Sequence, residues 1–264
     1  MIPIIYVSIL SLMLFALWRA GKDLKRNYRV LSISGIFALA VYTLNEGLRF
    51  GRGIDYMVYW RHYEQLEHGW EVDKDILYVA LSKLLISLGI PYQGEIMVMS
   101  FVFILSLLLF LKHFKDTAPF TVPLFVLFSL LHVENMVRWY LGFSFILIGL
   151  SFLLDKDQPH RIRWYVFFSF IAIFFHYGLF IIPILFYLIS LRKTPLLHPA
   201  ITLVLFFGIY YLFEASFMLE FVDTVQTYGM LVEWTEYYAS KADYWLTGGF
   251  SGMGATGIIN KTEL

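Results

Sequence analysis

Side chains with useful chemistry interrupt an otherwise apolar sequence at three places. In chain order they are Arg49, Arg52 and Asp55; Glu134, Asn135 and Arg138; and His176 and Tyr177. The forked guanidinium of arginine suits phosphate oxygens. A carboxylate or an imidazole can accept a proton from a reacting hydroxyl. If these groups meet, they predict a site that holds a phosphate-bearing anion and moves a proton.

The first group lies in the longest polar interruption, residues 49–70. Gly51-Arg52-Gly53 predicts a flexible turn, and a helical repeat of apolar side chains follows it. An aromatic face of this kind is typical of a helix at a membrane surface. Asp55 falls at the helix start, where a carboxylate can cap backbone N–H groups. Capping and catalysis both remain open for Asp55. The predicted apolar face consists of Tyr56, Tyr59, Tyr63, Leu66 and Trp70, opposite Arg61, His62 and Glu64.

Each remaining polar residue has a structural explanation beside the functional one. Arg138, at the end of an apolar run, could simply extend to the membrane surface. His176 is harder to explain in this way, because an unpaired imidazole in lipid is costly. Asp73-x-Asp75 and Asp155-x-Asp157 match a metal-binding pattern that is too weak to predict a metal. A solvated helix face is predicted for Arg61, His62, Glu64, Glu67 and His68.

Composition indicates a membrane protein. Hydrophobic residues make up 59% and charged residues 15% of the 264 residues, and the mean hydropathy is +0.68. Soluble domains are about 45–50% apolar and about 25% charged. Net charge is zero with no basic tract, so nucleic acid is not an expected partner. The chain has no cysteine, which excludes disulfides and thiolate chemistry.

Basic residues predict the orientation of the spans. The first apolar run, 2–18, is expected to be a retained span, followed by a cytoplasmic cluster of Arg19, Lys22, Lys25, Arg26 and Arg29. A second span at 30–48 would place 49–70 outside. Further spans are expected at 95–111, 120–133 and 137–154. A broken hairpin at 164–191 and a last outward span at 201–213 complete the bundle.

A short helix in the outer loop completes this topology. Asp75 at its start and Gly89 with Pro91 after it predict a helix over 76–88. About 13 residues cover roughly 20 Å, less than the roughly 30 Å of hydrocarbon. The helix is therefore expected to lie at the outer surface. Every other basic loop then falls on the cytoplasmic side.

The predicted fold class is an all-α polytopic membrane protein. It has about 7–8 transmembrane or re-entrant helices, plus two amphipathic surface helices in an extracytoplasmic loop at 49–91. A single transmembrane domain is expected over 1–264. An acidic, aromatic and glycine-rich tail at 214–264 is expected outside. The sequence stops after this tail without another span, and a C-terminally truncated form of a longer architecture is expected.

Three motifs resemble those of a known family. They are RxGRGxDYxxY at 49–59, NMVRWYLGFSF at 135–145 and FFHYG at 174–178. Their order and type are similar to those of the EpsG/Wzy-like exopolysaccharide and O-antigen polymerases, with a GT-C-type glycosyltransferase plan. That plan puts an aspartate and two surface helices in an early extracytoplasmic loop.

The resemblance implies polymerisation of lipid-linked oligosaccharide repeat units into an exopolysaccharide, O-antigen or capsule chain. The donor would carry polyprenyl (undecaprenyl) pyrophosphate, at the outer face of the bacterial cytoplasmic membrane. Asp55 would be the base, with His176 as the alternative. No cofactor and no metal are expected. Partners would be the lipid-linked oligosaccharide, the bilayer and other polysaccharide export proteins. The pyrophosphate and sugar would be held by Arg49, Arg52, Arg138, Tyr56 and Tyr177.

Three other functions stay open. A lipid-linked oligosaccharide flippase or polysaccharide transporter would also need an anion cavity, but typically shows paired broken helices in two related halves. A membrane O-acyltransferase could use a membrane histidine. A structural subunit of an export complex would need no converging charges.

Overall fold

The computed structural model describes residues 2–53, 55–72, 74–192, 201 and 204–205. The chain divides into two compact units, Met1–Leu191 and Arg192–Leu264. The helices with described bounds lie in the first unit. The predicted tail at 214–264 lies outside the described residues. So does the predicted span 201–213, apart from residues 201 and 204–205.

The described residues form helices and no strand, as the sequence predicts. Two short 3-10 turns, Lys112–Phe114 and Tyr177–Leu179, join longer elements. The α-helices are α1 (Ile2–Asn27), α2 (Ile33–Gly47), α3 (Tyr56–Glu67), α4 (Ile76–Ser87), α5 (Tyr92–Leu111), α6 (Ala118–Asn135), α7 (Val137–Leu154), α8 (Arg161–Phe175) and α9 (Ile181–Ser190).

Three helices in the described part are long and apolar enough to cross a membrane. They are Ile5–Asn27, Tyr92–Phe114 and Val137–Leu154. Shorter apolar helices cover Ile76–Ser87, Ala118–Leu130 and Tyr177–Ser190. The total of seven or eight spans therefore stays a prediction.

The first helix differs from its predicted bounds. The sequence predicts a span that stops at residue 18, whereas α1 continues through the basic cluster to Asn27. Lysine and arginine are good helix formers, so charge alone does not end a helix. Helical geometry stops at Tyr28, which has a positive φ of 60°.

Helices α1, α2, α5 and α6 share one apolar core. Its fully buried side chains include Leu17, Tyr42, Phe103 and Val122. Gly21 lets α1 approach α6 at backbone distance, because a Cβ there would lie 2.6 Å from the carbonyl oxygen of Ala118. Any larger side chain at position 21 would force the two helices apart.

Helix α3 corrects the predicted membrane-surface face. Its aromatic face is buried in protein, where Tyr56, Tyr59 and Tyr63 pack with Tyr78 of α4 and Tyr92 of α5. The helix ends at Glu67, so Trp70 lies beyond it and is 64% exposed. Tyrosine pairs lock the two short helices onto the bundle: the Tyr56 and Tyr92 ring centroids are 5.4 Å apart.

Helix α8 packs along α7 and then breaks where the sequence predicts. His176 adopts an extended conformation after Phe175, and the Tyr177–Leu179 turn follows it. Gly142 allows this close packing, because a Cβ there would lie 2.8 Å from the Ala172 carbonyl oxygen. The break thus brings His176 and Tyr177 to the end of the bundle that also holds the start of α7.

Candidate active site

The turn after α2 is shaped by two glycines with positive φ. Gly51 has φ +64° and Gly53 has φ +99°, a region that favours glycine. Gly51 faces open space, whereas a Cβ at Gly53 would lie 2.9 Å from the Glu134 carbonyl oxygen. Gly53 therefore lets the turn press against the junction of α6 and α7.

This turn carries Arg49 and Arg52 into a buried ionic cluster. Arg49 Nη1 lies 3.1 Å from Glu46 Oε2, and Arg52 Nη2 lies 2.9 Å from Glu46 Oε1. Arg52 Nε also pairs with Glu134 Oε1 at 2.6 Å, and Arg49 Nη2 donates to the Glu134 carbonyl oxygen at 3.2 Å. The side chains of Glu46 and Glu134 are 0% and 2% exposed. Two arginines are thus matched by two carboxylates, an arrangement we call the buried ionic cluster; its Arg52 side chain is 26% exposed.

A second group of polar side chains forms around Arg138. Arg138 Nη1 donates to Asp75 Oδ2 at 2.7 Å, and Asp75 Oδ1 accepts from the Tyr177 backbone N–H at 3.3 Å. The sequence suggests Asp75 as a helix cap. It stands at the N-cap of α4, but its side chain makes no capping hydrogen bond. The carboxylate instead joins α4, α7 and the break after α8. We call this group, Asp75, Arg138, His176 and Tyr177, the Arg138 site.

Two tyrosines hold the Arg138 guanidinium in place. Its central carbon lies 5.8 Å from the Tyr59 ring centroid and 5.5 Å from that of Tyr78. A cation over an aromatic face is stabilised by the ring quadrupole. Within the described residues, Arg138 Nε is buried and has no hydrogen-bond partner. That nitrogen is enclosed, but the Arg138 side chain as a whole is 19% exposed, so a ligand can reach part of it.

His176 is oriented by its own backbone. Its Nδ1 accepts a hydrogen bond from the Gly178 N–H at 3.0 Å. A ring nitrogen that accepts carries no proton, so the neutral imidazole bears its proton on Nε2. In this arrangement His176 is a hydrogen-bond donor through Nε2. To act as a base it would first have to change tautomer and give up the Gly178 bond.

Asp55 and Tyr56 lie at the start of α3. Asp55 is half-buried at the N-cap, and its backbone oxygen accepts from Val58 and Tyr59. Its side chain makes no capping hydrogen bond. Burial raises the pKa of Tyr59, an effect that Arg138 opposes and Asp55 reinforces. The charges of Asp55 and Arg138 therefore both influence the pKa of the Tyr59 hydroxyl. Tyr56 is 1% exposed, whereas Tyr177 is 50% exposed.

His62 corrects another expectation from sequence. The sequence predicts a solvated position for this side chain, whereas it lies half-buried near Arg138 and Lys74. Burial, with those two charges, lowers the pKa of His62 to about 4. Its Nδ1 has no hydrogen-bond partner in the described part of the chain. The ring is therefore neutral at pH 7 beside the Arg138 site.

The structure thus sorts the predicted residues into two places. Arg49, Arg52 and Glu134 meet in the buried ionic cluster, and Arg138, His176 and Tyr177 meet through Asp75. Sequence reasoning missed the pairing roles of Glu46 and Asp75. Asp75 could have been identified as a partner because its carboxylate lies in the same outer loop as Arg49 and Arg52. Glu46 could have been identified because it is a charged residue inside an apolar span.

The residues of the Arg138 site are suited to an anionic ligand. Tyr177 is accessible, the Arg138 side chain is partly exposed, and His176 offers a donor through Nε2. No cluster of three or more histidine and acidic side chains suited to a metal ion occurs among the residues that the structure describes. The second aspartate pair is engaged locally, since Asp155 Oδ1 accepts from the Asp157 N–H at 3.2 Å.

Comparison with known families now identifies the class of protein. The EpsG family model matches residues 32–258. The chain belongs to the EpsG family, and the resemblance stated from its motifs is confirmed. The match covers α2 to α9 and so includes both ionic groups. Searches of curated proteins and of solved structures return no match.

The family supports a membrane protein of polysaccharide biosynthesis, of the exopolysaccharide polymerase type. The apolar helices described above agree with that assignment.

Proposed function

We propose that this protein elongates a surface polysaccharide by joining lipid-pyrophosphate-linked oligosaccharide repeat units. The single observation that carries the proposal is the convergence of Asp75, Arg138 and the Tyr177 N–H in a member of the EpsG family. The reaction would take place at the outer face of the cytoplasmic membrane, where the positive-inside rule places this end of the bundle.

The reaction needs a base and a cationic leaving-group site. An acceptor hydroxyl loses its proton to the base, and its oxygen forms a bond to the anomeric carbon of the donor. The bond from that carbon to the pyrophosphate oxygen breaks, and polyprenyl pyrophosphate departs with the electron pair. Donors fixed beforehand around the departing charge lower the barrier.

Arg138 is the residue we assign to the pyrophosphate. Its fork is held by Asp75 and two tyrosine rings, so little ordering is needed when the ligand arrives. His176 Nε2–H would donate to the same leaving group. Tyr177, half exposed beside Asp75, would contact the sugar or the pyrophosphate.

Asp55 is the base in this proposal. His176 Nδ1 already accepts from the Gly178 N–H, so His176 would have to give up that contact before it could accept a proton there, whereas a carboxylate has two oxygens that can accept one. Arg49, Arg52 and Tyr56 take positioning roles. The two arginines are already matched by Glu46 and Glu134, and Tyr56 is 1% exposed.

The proposal is tested by replacing Arg138. A strain that lacks its own copy would express wild type, Arg138→Ala or Arg138→Lys, and its surface polysaccharide would be resolved by size on a gel. We expect Arg138→Ala to reduce chain elongation about 10²- to 10³-fold, the usual cost of one preorganised donor. Single repeat units should accumulate. Arg138→Lys keeps the charge but loses the fork, so it should restore only part of the ladder.

Arg61→Ala is the matched control, because Arg61 is an exposed arginine on α3. An immunoblot of the membrane fraction checks that each variant is present in equal amount. An unchanged ladder with Arg138→Ala would disprove the assignment. Loss of repeat units from the outer face would indicate a flippase, and an altered acyl content with normal chain length would indicate an O-acyltransferase.

A further inference from the structure

A basic groove lies at the opposite end of α1 from the turn at 49–53. It has a volume of about 720 Å³ and lies between the second half of α1 and the start of α6. The positive-inside rule predicts that this end faces the cytoplasm. It shares no residue with the Arg138 site. The groove is lined by Trp18, Arg19, Lys22, Asp23, Lys25, Arg26, Pro119 and Phe120.

Backbone contact fixes the shape of this groove. Gly21 lies between the lining residues Arg19 and Lys22 in sequence. A Cβ at Gly21 would lie 2.7 Å from the Pro119 Cα. The two helices cannot move closer at this point. The spacing of the two helix backbones beside the groove is therefore fixed by this contact.

The lining favours an anion. Four of its side chains are basic and one, Asp23, is acidic. The Asp23 carboxylate accepts a hydrogen bond from the Ser34 hydroxyl at 2.5 Å. Lys25 lies 3.7 Å from Asp116 in an exposed ion pair, which is worth little in water. Arg19, Lys22 and Arg26 thus leave the groove with an excess of positive charge.

The aromatic lining indicates an amphiphilic ligand. Lys22 Nζ lies 4.5 Å from the centre of the Trp18 ring, and tryptophan is enriched at the level of lipid headgroups. Three exposed apolar side chains continue along α6 from the groove, spaced four residues apart. They are Phe120, Leu124 and Phe128, which are 68%, 49% and 76% exposed. Residues four apart lie on one helix face. A polar group in the groove would therefore continue into an apolar strip.

We propose that this groove binds the headgroup of an anionic phospholipid. The phosphodiester would lie among Arg19, Lys22 and Arg26, and an acyl chain would follow the strip on α6. Basic pockets between transmembrane helices are suited to such headgroups. Inorganic phosphate shares the charge but could not use the strip.

The test is native mass spectrometry of the purified full chain in detergent. Phosphatidylglycerol or phosphatidylcholine would be added in equal amounts. Wild type should retain phosphatidylglycerol in preference to phosphatidylcholine. The double variant Lys22→Gln/Arg26→Gln should lose about 30-fold in phosphatidylglycerol affinity, since each basic group near a headgroup contributes about one kcal/mol.

Three controls make each outcome decisive. Lys156→Gln/Arg163→Gln removes two exposed basic groups elsewhere and should change the affinity less than about twofold. Lys22→Arg should bind as wild type does, and all variants should elute as single species in gel filtration. Equal losses in both double variants, or no loss in the first, would overturn the proposal. Displacement of the lipid by inorganic phosphate would overturn the phospholipid assignment.

Discussion

The two arginine groups at the predicted outer end differ in what surrounds their charges. In the buried ionic cluster two arginines meet two carboxylates, and of these four side chains only that of Arg52, 26% exposed, reaches the surface. In the Arg138 site one arginine meets one carboxylate, with side-chain exposures of 19% and 10%. Both groups are balanced in formal charge. The second group also borders the accessible Tyr177. Arginines close together in sequence can thus have separate roles.

Breaking the buried ionic cluster should have the largest effect. Glu46→Ala leaves two arginines with one carboxylate, and the Arg49 side chain among them is only 2% exposed. We expect the free energy of unfolding to fall by about 3–5 kcal/mol, because an uncompensated charge stays buried. Thermal unfolding followed by gel filtration measures this loss. Glu67→Ala, an exposed acidic residue on α3, should stay within about 0.5 kcal/mol of wild type. Equal melting temperatures would contradict the structural role of the cluster.

Breaking the Arg138 site should instead reduce activity. Asp75→Asn keeps the size of the side chain but removes the charge that orients Arg138. Chain elongation should fall about 10²-fold, since small misplacement of a positioned group has that effect. The melting temperature should fall less than it does for Glu46→Ala. Gel analysis of the polysaccharide measures the first quantity and thermal unfolding the second.

Asp155→Asn is the control for this substitution, because Asp155 belongs to the other aspartate pair and its side chain accepts a local hydrogen bond from the Asp157 N–H. If Asp75→Asn destabilised the protein as much as Glu46→Ala does, the Arg138 site would have a structural role like that of the buried ionic cluster.

The two glycines of the turn offer a finer test of the contact at Glu134. Gly51→Ala and Gly53→Ala both place a Cβ on a residue with positive φ, which costs about 1–2 kcal/mol. Only Gly53→Ala also drives that Cβ against the Glu134 carbonyl oxygen. We expect Gly53→Ala to be destabilised by about 1–3 kcal/mol more than Gly51→Ala. Thermal unfolding of both variants under the same conditions measures this difference. Equal losses of stability would mean that the turn can shift away from the Glu134 carbonyl oxygen without cost.

The smallest effect concerns the pH dependence set by His62. Its pKa is about 4 in the folded protein and about 6.5 in an unfolded chain. Between these values the unfolded state binds more protons, so stability falls as the pH drops from 6.5 towards 4. His62→Gln should flatten the dependence of melting temperature on pH in this window. Parallel slopes for the variant and wild type would contradict the burial of His62.

Local features of the fold could be predicted from sequence. The bounds of α7 agree with prediction, and α4 ends within one residue of the predicted stop. The break at His176 was also predicted, because an ionisable residue beside Tyr-Gly interrupts an apolar run. Such features depend on spacing and composition over a few turns, which the sequence displays directly.

Long-range pairing could not be predicted in the same way. Asp75 at the start of α4 looks like a cap, and only the packing of α7 reveals Arg138 as its partner. The tyrosine face of α3 has the same pattern whether it meets lipid or Tyr92. Periodicity identifies an apolar face but does not identify what covers it. For this reason the sequence predicts that Arg49, Arg52 and Arg138 lie at one end of the bundle but does not predict their division into two groups.

The contact between Asp75 and its two partners has a consequence for how the protein is made. Arg138 follows Asp75 by 63 residues and Tyr177 follows it by 102. Since the chain is synthesised from its N-terminus, the Asp75 carboxylate emerges long before either partner exists. The contact can form only after α7 and α8 have both been inserted in the correct orientation. The Arg138 site is thus completed late in biogenesis, and a nascent chain with a misinserted late helix would lack this contact from the moment of its release.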